Sequence, residues 1–162
     1  MRTVSPYALG ATLYMPATRA DLLDVVCHGK IPGLRSLVIC LEDAVSEADV
    51  QDGLLNLQKL LTSIHALGGR SRSGPVVFVR PRNVEMAMRL NDLSLIHHVD
   101  GFVAPKLNLA SLSDWEQAIT HPSLLIMPTL ETRDVFDPVA MVDLRDGLVD
   151  KLKEKTLVLR IG

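Results

Sequence analysis

Short apolar runs punctuate the chain, and longer stretches of helical periodicity separate them. The runs are GATLYM ending at Met15, SLVICL ending at Leu41, PVVFVR ending at Arg80, DGFVAP ending at Pro105, LLIMPTL ending at Leu130, and the final TLVLRIG. Each is rich in Val, Ile and Leu and is apolar at odd and even positions alike. A strand covered on one face alternates between apolar and polar residues. A strand covered on both faces does not, so these runs predict the strands of a parallel sheet.

The intervening segments read as helices. Thr18 is the expected N-cap of RADLLDVVCHGK. Ser46 is the expected cap of EADVQDGLLNLQKLLTSIHAL, where Val50, Leu54, Leu57, Leu60, Leu61 and Ile64 recur at helical spacing. Asn83 opens NVEMAMRLNDLSLIHHV. Residues 109–119 form a short helix with Ser111 or Ser113 at its start, and Pro138 marks the first turn of the last and longest helix. Six strands and five helices therefore alternate. That order implies right-handed crossovers and leaves two architectures, an open doubly wound parallel sheet or a TIM (β/α)8-barrel. No Gly-x-Gly-x-x-Gly follows the first strand and no phosphate loop is present, which weakens a nucleotide-binding open sheet.

Composition narrows the class. The 162 residues are 48% hydrophobic and 22% charged, enough apolar material for one packed domain, with a formal net charge of −2. No basic excess points to nucleic acid, and no apolar run reaches the roughly 18 residues of a membrane span. The N-terminal stretch has no secretory cleavage pattern. Cys27 and Cys40 lie far apart in unlike contexts, which fits a reduced, cytoplasmic setting better than a disulfide framework.

Chemistry collects at one end of the strands. Pro16 and Arg19 follow the first run, Glu42 and Asp43 the second. Arg80, Arg82 and Asn83 end the third, Lys106 and Asn108 follow the fourth, and Glu131, Thr132 and Arg133 follow the fifth. In either architecture, ligands bind beyond the carboxyl ends of the strands. The opposite ends carry turn formers: Gly33, GGRSRSG, Asp100 and Pro122–Ser123. Any one charged residue after a strand is most simply a wet loop. Recurrence on a single rim, with two adjacent acids that need cations or donors if desolvated, gives the pattern its weight. A mixed ring of acids and bases can hold a metal ion and an anionic substrate together. His97 and His98 read as capping or solvated residues on the far side, Cys27–His28 as structural, Cys40 as a small buried hydrophobe, and GGRSRSG as a solvated loop. Lys106 offers a Schiff-base alternative that the neighbouring acids disfavour.

At these same residues the chain resembles the citrate lyase β-subunit-like family of carbon–carbon lyases, the HpcH/HpaI aldolase superfamily. LYMPATRADLL is similar to that family's first strand and its Pro…Arg segment, and CLEDAV to its Asp-Leu-Glu-Asp-Ala-Val signature. VFVRPRN, GFVAPKLN and MPTLETRDVF resemble its Val-Arg-x-Asn, Gly-x-x-x-Pro-Lys and Ile-Glu-Thr segments. Within the superfamily the chain is most similar to a divergent bacterial branch found beside tellurium-resistance genes. The resemblance implies a TIM barrel and Mg²⁺-dependent making or breaking of a carbon–carbon bond in a 2-keto or 3-hydroxy acid or a 3-hydroxyacyl-CoA thioester. It implies Glu131 as a metal ligand, Arg80 as the substrate-binding arginine, and Glu42 and Asp43 as acids on the floor of the site, with Arg80, Glu42 and Asp43 the catalytic residues. It places Arg19, Arg82, Lys106 and Thr132 toward substrate, and implies a homo-oligomer when full length.

Two departures bear on substrate choice: Cys40 stands where the family signature has Asp, and an inserted residue lets Arg82 compete with Arg80. They also leave open a ligand-binding or regulatory protein on the same barrel. Because the family's second metal carboxylate follows a Gly at the end of strand six, residues 1–162 are expected to be a single barrel domain truncated after strand 6. They would be the N-terminal part of a longer chain.

Overall fold

The computed structural model describes residues 4–161. Six parallel strands carry the fold: β1 Thr12–Pro16, β2 Ser36–Cys40, β3 Val76–Arg80, β4 Gly101–Ala104, β5 Leu125–Leu130 and β6 Arg160–Ile161. Five helices separate them: α1 Leu22–Cys27, α2 Val50–Ala66, α3 Val84–Asn91, α4 Leu112–Ala118 and α5 Pro138–Lys151. The strands neighbour one another in strict chain order, β1 to β6, all parallel. No switch point interrupts that order, so the open doubly wound alternative is excluded.

The sheet also curls. Arg160 on β6 places Nη1 3.5 Å from Thr12 Oγ1 on β1, and its guanidinium carbon lies 5.2 Å from the centre of the Tyr14 ring. Six strands in a flat sheet would hold β1 and β6 roughly 24 Å apart, beyond the reach of any side chain. The arrangement is that of a TIM-type α/β barrel.

Burial on both faces explains the unbroken apolar runs. All five residues of β2 and of β3 are buried. Leu37, Ile39, Val77, Val79, Phe102 and Ile126 face outward into the main core with the helices, among them Leu57, Leu61 and Trp115. The alternate residues Val38, Val76, Phe78, Val103 and Met127 form a second, smaller core on the concave face. The same alternation turns Arg80 inward, two residues beyond Phe78.

Some helix starts follow the expected caps. Asn83 Oδ1 accepts the Met86 N–H at 2.9 Å, and Asp137 Oδ1 accepts from Val139 N at 2.9 Å, just ahead of Pro138. Others do not. Helix α1 begins at Leu22 rather than after Thr18, because the residues between form a turn whose Asp21 carboxylate is held by Arg19 and Lys30. Ser46 does not cap α2: its hydroxyl donates to Asp49 Oδ2 at 2.6 Å, and residues 47–49 form a single 3-10 turn. Ser111 precedes α4, with its hydroxyl turned back to Asn108. Strand six is shorter than its apolar run, reduced to Arg160–Ile161 and a separate bridge between Thr156 and Ile126.

The far end of the barrel departs most from expectation. Asp100 is a buried anchor and not a simple turn former. Its Oδ2 accepts from Val77 N and from Arg70 Nη2, both at 2.7 Å. Arg70 also donates to His98 O and Pro75 O, so GGRSRSG is pinned to the barrel and not merely solvated. Among the described residues, no helix is long and apolar enough to cross a membrane.

Gly101 sets the closest approach between β4 and β5. A Cβ there would lie 2.1 Å from Leu125 O, a backbone atom that cannot step aside. Gly101→Ala is expected to destabilise the fold by about 3 kcal/mol, read as a lowered urea midpoint at unchanged slope.

Candidate active site

Four consecutive strands deliver one residue each to a closed ring of charges. Arg80 ends β3, and the register sets it beside Cys40. The ladder continues one step past β2, where Leu41 N donates to Arg80 O at 2.9 Å. A turn closed by Val45 N and Glu42 O at 3.0 Å then keeps Glu42 and Asp43 at the rim. Glu131 follows β5, and Lys106 follows β4.

Arg80 Nε contacts Glu42 Oε2, and Arg80 Nη2 donates to Glu131 Oε1 at 3.0 Å. Lys106 Nζ donates to Glu42 Oε1 at 3.0 Å, while the Lys106 backbone N–H donates to Glu131 Oε1 at 2.9 Å. The ring thus runs Arg80, Glu42, Lys106, Glu131 and back to Arg80. Asp43 joins from outside through a 3.4 Å contact with Arg80 Nη2.

Burial separates the two adjacent acids. The Glu42 side chain is 7% exposed and the Asp43 side chain 74%. Glu42 is therefore enclosed within the ring, and Asp43 is the acid that meets solvent. Lys106 is the one non-glycine residue with positive φ among the described residues, at +50°. That conformation costs about 1 kcal/mol or more and is held here by both ends of the residue, its backbone on Glu131 and its ammonium on Glu42. The hydrogen bond to Glu42, and then that residue's charge, push the Lys106 pKa up. Burial works against the Arg80 charge, but the hydrogen bond and charge of Glu42, followed by Glu131, outweigh it and leave its pKa raised. Both cations are fixed as cations.

A cavity of about 450 Å³ opens beside the Glu42 and Lys106 side of this network, lined by Glu42, Asp43, Val45, Glu47, Arg82, Asn83 and Lys106. The structure separates the two competing arginines. Arg80 sits inside the ring. Arg82 lines the cavity wall and braces the β2–α2 loop, donating to Glu47 Oε2 at 2.8 Å and to Val45 O. Two expected site residues pair locally and do not join the ring. Arg19 makes a forked pair with Asp21, Nε to Oδ1 at 2.8 Å and Nη2 to Oδ2 at 2.7 Å, and this hydrogen bond, with that of Lys30, holds the Asp21 carboxyl well below its usual range. Thr132 directs its hydroxyl to Asp134 at 3.3 Å.

Thr129 was not singled out by the sequence. It is buried on β5, and its hydroxyl has no hydrogen-bond partner among the described residues. The available signal was the two-residue spacing that sets it on the same strand face as Glu131.

The family model described as carbon–carbon bond lyase of the TIM-barrel fold matches residues 3–162. The chain belongs to this family. A search of curated proteins finds no match. In this lyase-family barrel, the ring stands on the side of the strands where catalytic residues of TIM barrels collect.

Two outcomes are expected. Glu42→Ala leaves the buried Arg80 Nε without a carboxylate, although Glu131 still meets Nη2, and is expected to cost about 3 kcal/mol of stability in denaturant titration, whereas the exposed Asp43→Ala is expected to cost under about 1 kcal/mol. Because Lys106 is held as an ammonium, borohydride added with a 2-keto acid is expected to leave it unmodified by mass spectrometry; a reduced adduct at Lys106 would establish Schiff-base chemistry.

Proposed function

We propose that this lyase-family chain is of the citrate lyase β-subunit-like type. On this reading it cleaves or forms a carbon–carbon bond, with Mg²⁺, in a 2-keto or 3-hydroxy acid or a 3-hydroxyacyl-CoA thioester. The observation that carries the reading is the charge balance of the rim. Three carboxylates, Glu42, Asp43 and Glu131, converge with two cations, Arg80 and Lys106. The surplus negative charge favours a cation beside the network, and a cation in turn accommodates an anionic substrate.

The donor set suits Mg²⁺, a hard ion that takes one or two carboxylates and fills its shell with water and substrate oxygens. Among the described residues, no group of three His, Cys, Asp and Glu side chains could hold a metal alone. Glu131 is the residue that would hold it, through Oε2, since Oε1 is committed to Arg80 and Lys106. Asp43 is the exposed second oxygen donor on the same Arg80 nitrogen. A bound Mg²⁺ supplies Lewis-acid polarisation of a substrate carbonyl or alkoxide oxygen.

The chain's own groups do the rest. Arg80 Nη1 is not used by the ring, so it is available to hold a substrate carboxylate or to stabilise the enolate oxygen that develops as the bond breaks. Glu42 fixes the plane of that guanidinium. Lys106 presents a permanent positive charge at the cavity wall, suited to an acid or thioester oxygen.

The test follows 2-keto acid release from malyl-CoA-like and citramalyl-CoA-like thioesters. Mg²⁺ is expected to support turnover and EDTA to abolish it. Glu131→Gln is expected to lower kcat/KM by about 10³-fold, about 4 kcal/mol of transition-state stabilisation. Equal rates with and without EDTA would refute the metal mechanism, and tight binding of these thioesters without turnover would favour a binding protein on the same barrel.

A further inference from the structure

Four of the chain's five histidines gather at the N-terminal ends of the strands, opposite the ring. His65 lies in the last turn of α2, and His97 and His98 end the short 3-10 turn before β4. His98 Nε2 stands 3.3 Å from His65 Nδ1, with ring centroids 5.5 Å apart. Two imidazole nitrogens bound at about 2.0–2.1 Å to one ion stand about 3.3 Å apart in a tetrahedron and about 2.9 Å apart at adjacent square-planar positions, so a few tenths of an ångström separate the two geometries. The pair already holds the separation that a shared ion requires.

We propose that His65 Nδ1 and His98 Nε2 form a two-imidazole site for a divalent transition-metal ion, with water completing the shell. Imidazole suits Cu²⁺, Ni²⁺ and Zn²⁺, and the general affinity order puts Cu²⁺ first. Mg²⁺ prefers oxygen and has no claim on this pair.

Several independent features support the site. The His98 backbone is held at both polar groups, with its N–H donating to Leu95 O at 3.0 Å and its carbonyl accepting from Arg70 Nε at 2.6 Å. His65 is exposed, so the pair is open to ions in solution. It sits at the negative end of the α2 macrodipole, which favours a cation. The nearby charge of Arg70 is met by Asp100 at 2.7 Å. Burial, then the neighbouring His97, His65 and Arg70, lower the His98 pKa and favour the neutral ring that ligates metals.

The other two histidines are committed elsewhere. His97 Nδ1 faces a carbonyl, Ser94 O, at 3.0 Å, and His121 Nδ1 accepts from Ser123 N at 3.2 Å. This agrees with the absence of a three-ligand group among the described residues.

The experiment titrates the untagged chain with Cu²⁺, measuring affinity by competition with a chelator and ligation by electron paramagnetic resonance. One equivalent with two coordinated imidazole nitrogens is expected. His65→Ala and His98→Gln are each expected to weaken binding about tenfold or more, while His97→Ala changes it less than about threefold. Circular dichroism confirms folding, and Gln retains a polar group at the half-buried position. Copper bound as tightly by His65→Ala as by the parent chain, or a parent spectrum with a single nitrogen ligand, would overturn the site.

Discussion

A guanidinium buried at the mouth of a barrel dominates this structure. Arg80 is 8% exposed and cannot shed its charge, because arginine does not deprotonate under ordinary conditions. It therefore needs carboxylates, and the nearest strand ends provide them. Glu42 in turn is buried and needs a second donor, which Lys106 supplies. Lys106 meets Glu42 from a left-handed backbone, and its N–H in that conformation donates to Glu131. Each residue answers a need created by the previous one, and the sequence of needs closes on itself. The ring draws on strands two to five, so it exists only if those strands lie side by side in chain order.

The two ends of the barrel divide the work. At the far end, Arg70 and Asp100 tie the segment before β3, the turn before β4 and the start of β3 together through four hydrogen bonds. At the rim, donors and acceptors are matched inside the ring, yet Asp43, one oxygen of Glu131 and one nitrogen of Arg80 remain for something else. Such surplus polar capacity suits a site that receives a ligand, and the membership of the carbon–carbon bond lyase family agrees with it.

Much of this was legible in the amino-acid order. Apolar runs without alternation announced strands covered on both faces, and their alternation with helices announced a parallel sheet. Glu42, Asp43, Arg80, Lys106 and Glu131 could be placed on one rim because each follows a strand. The pairings of Arg19 and Thr132 are local: each side chain meets an aspartate two residues along, apart from the ring. The role of Asp100 was hidden because its partners, Arg70 and Val77, lie 30 and 23 residues away, and no periodicity encodes such contacts. The left-handed Lys106 was hidden for a related reason, since only the two acids it bridges make that conformation worthwhile.

The closed ring also constrains how such a site can change over evolutionary time. Loss of Glu42, Arg80 or Glu131 leaves a charge or donor unmatched on its neighbours, and loss of the Lys106 ammonium leaves Glu42 short of a donor, so single replacements pass through a destabilised intermediate. Compensated double replacements avoid it. Residues at positions 42, 80, 106 and 131 should therefore drift as a coupled set across descendants of this barrel, while the exposed position 43 varies on its own and offers the freer route to a new substrate.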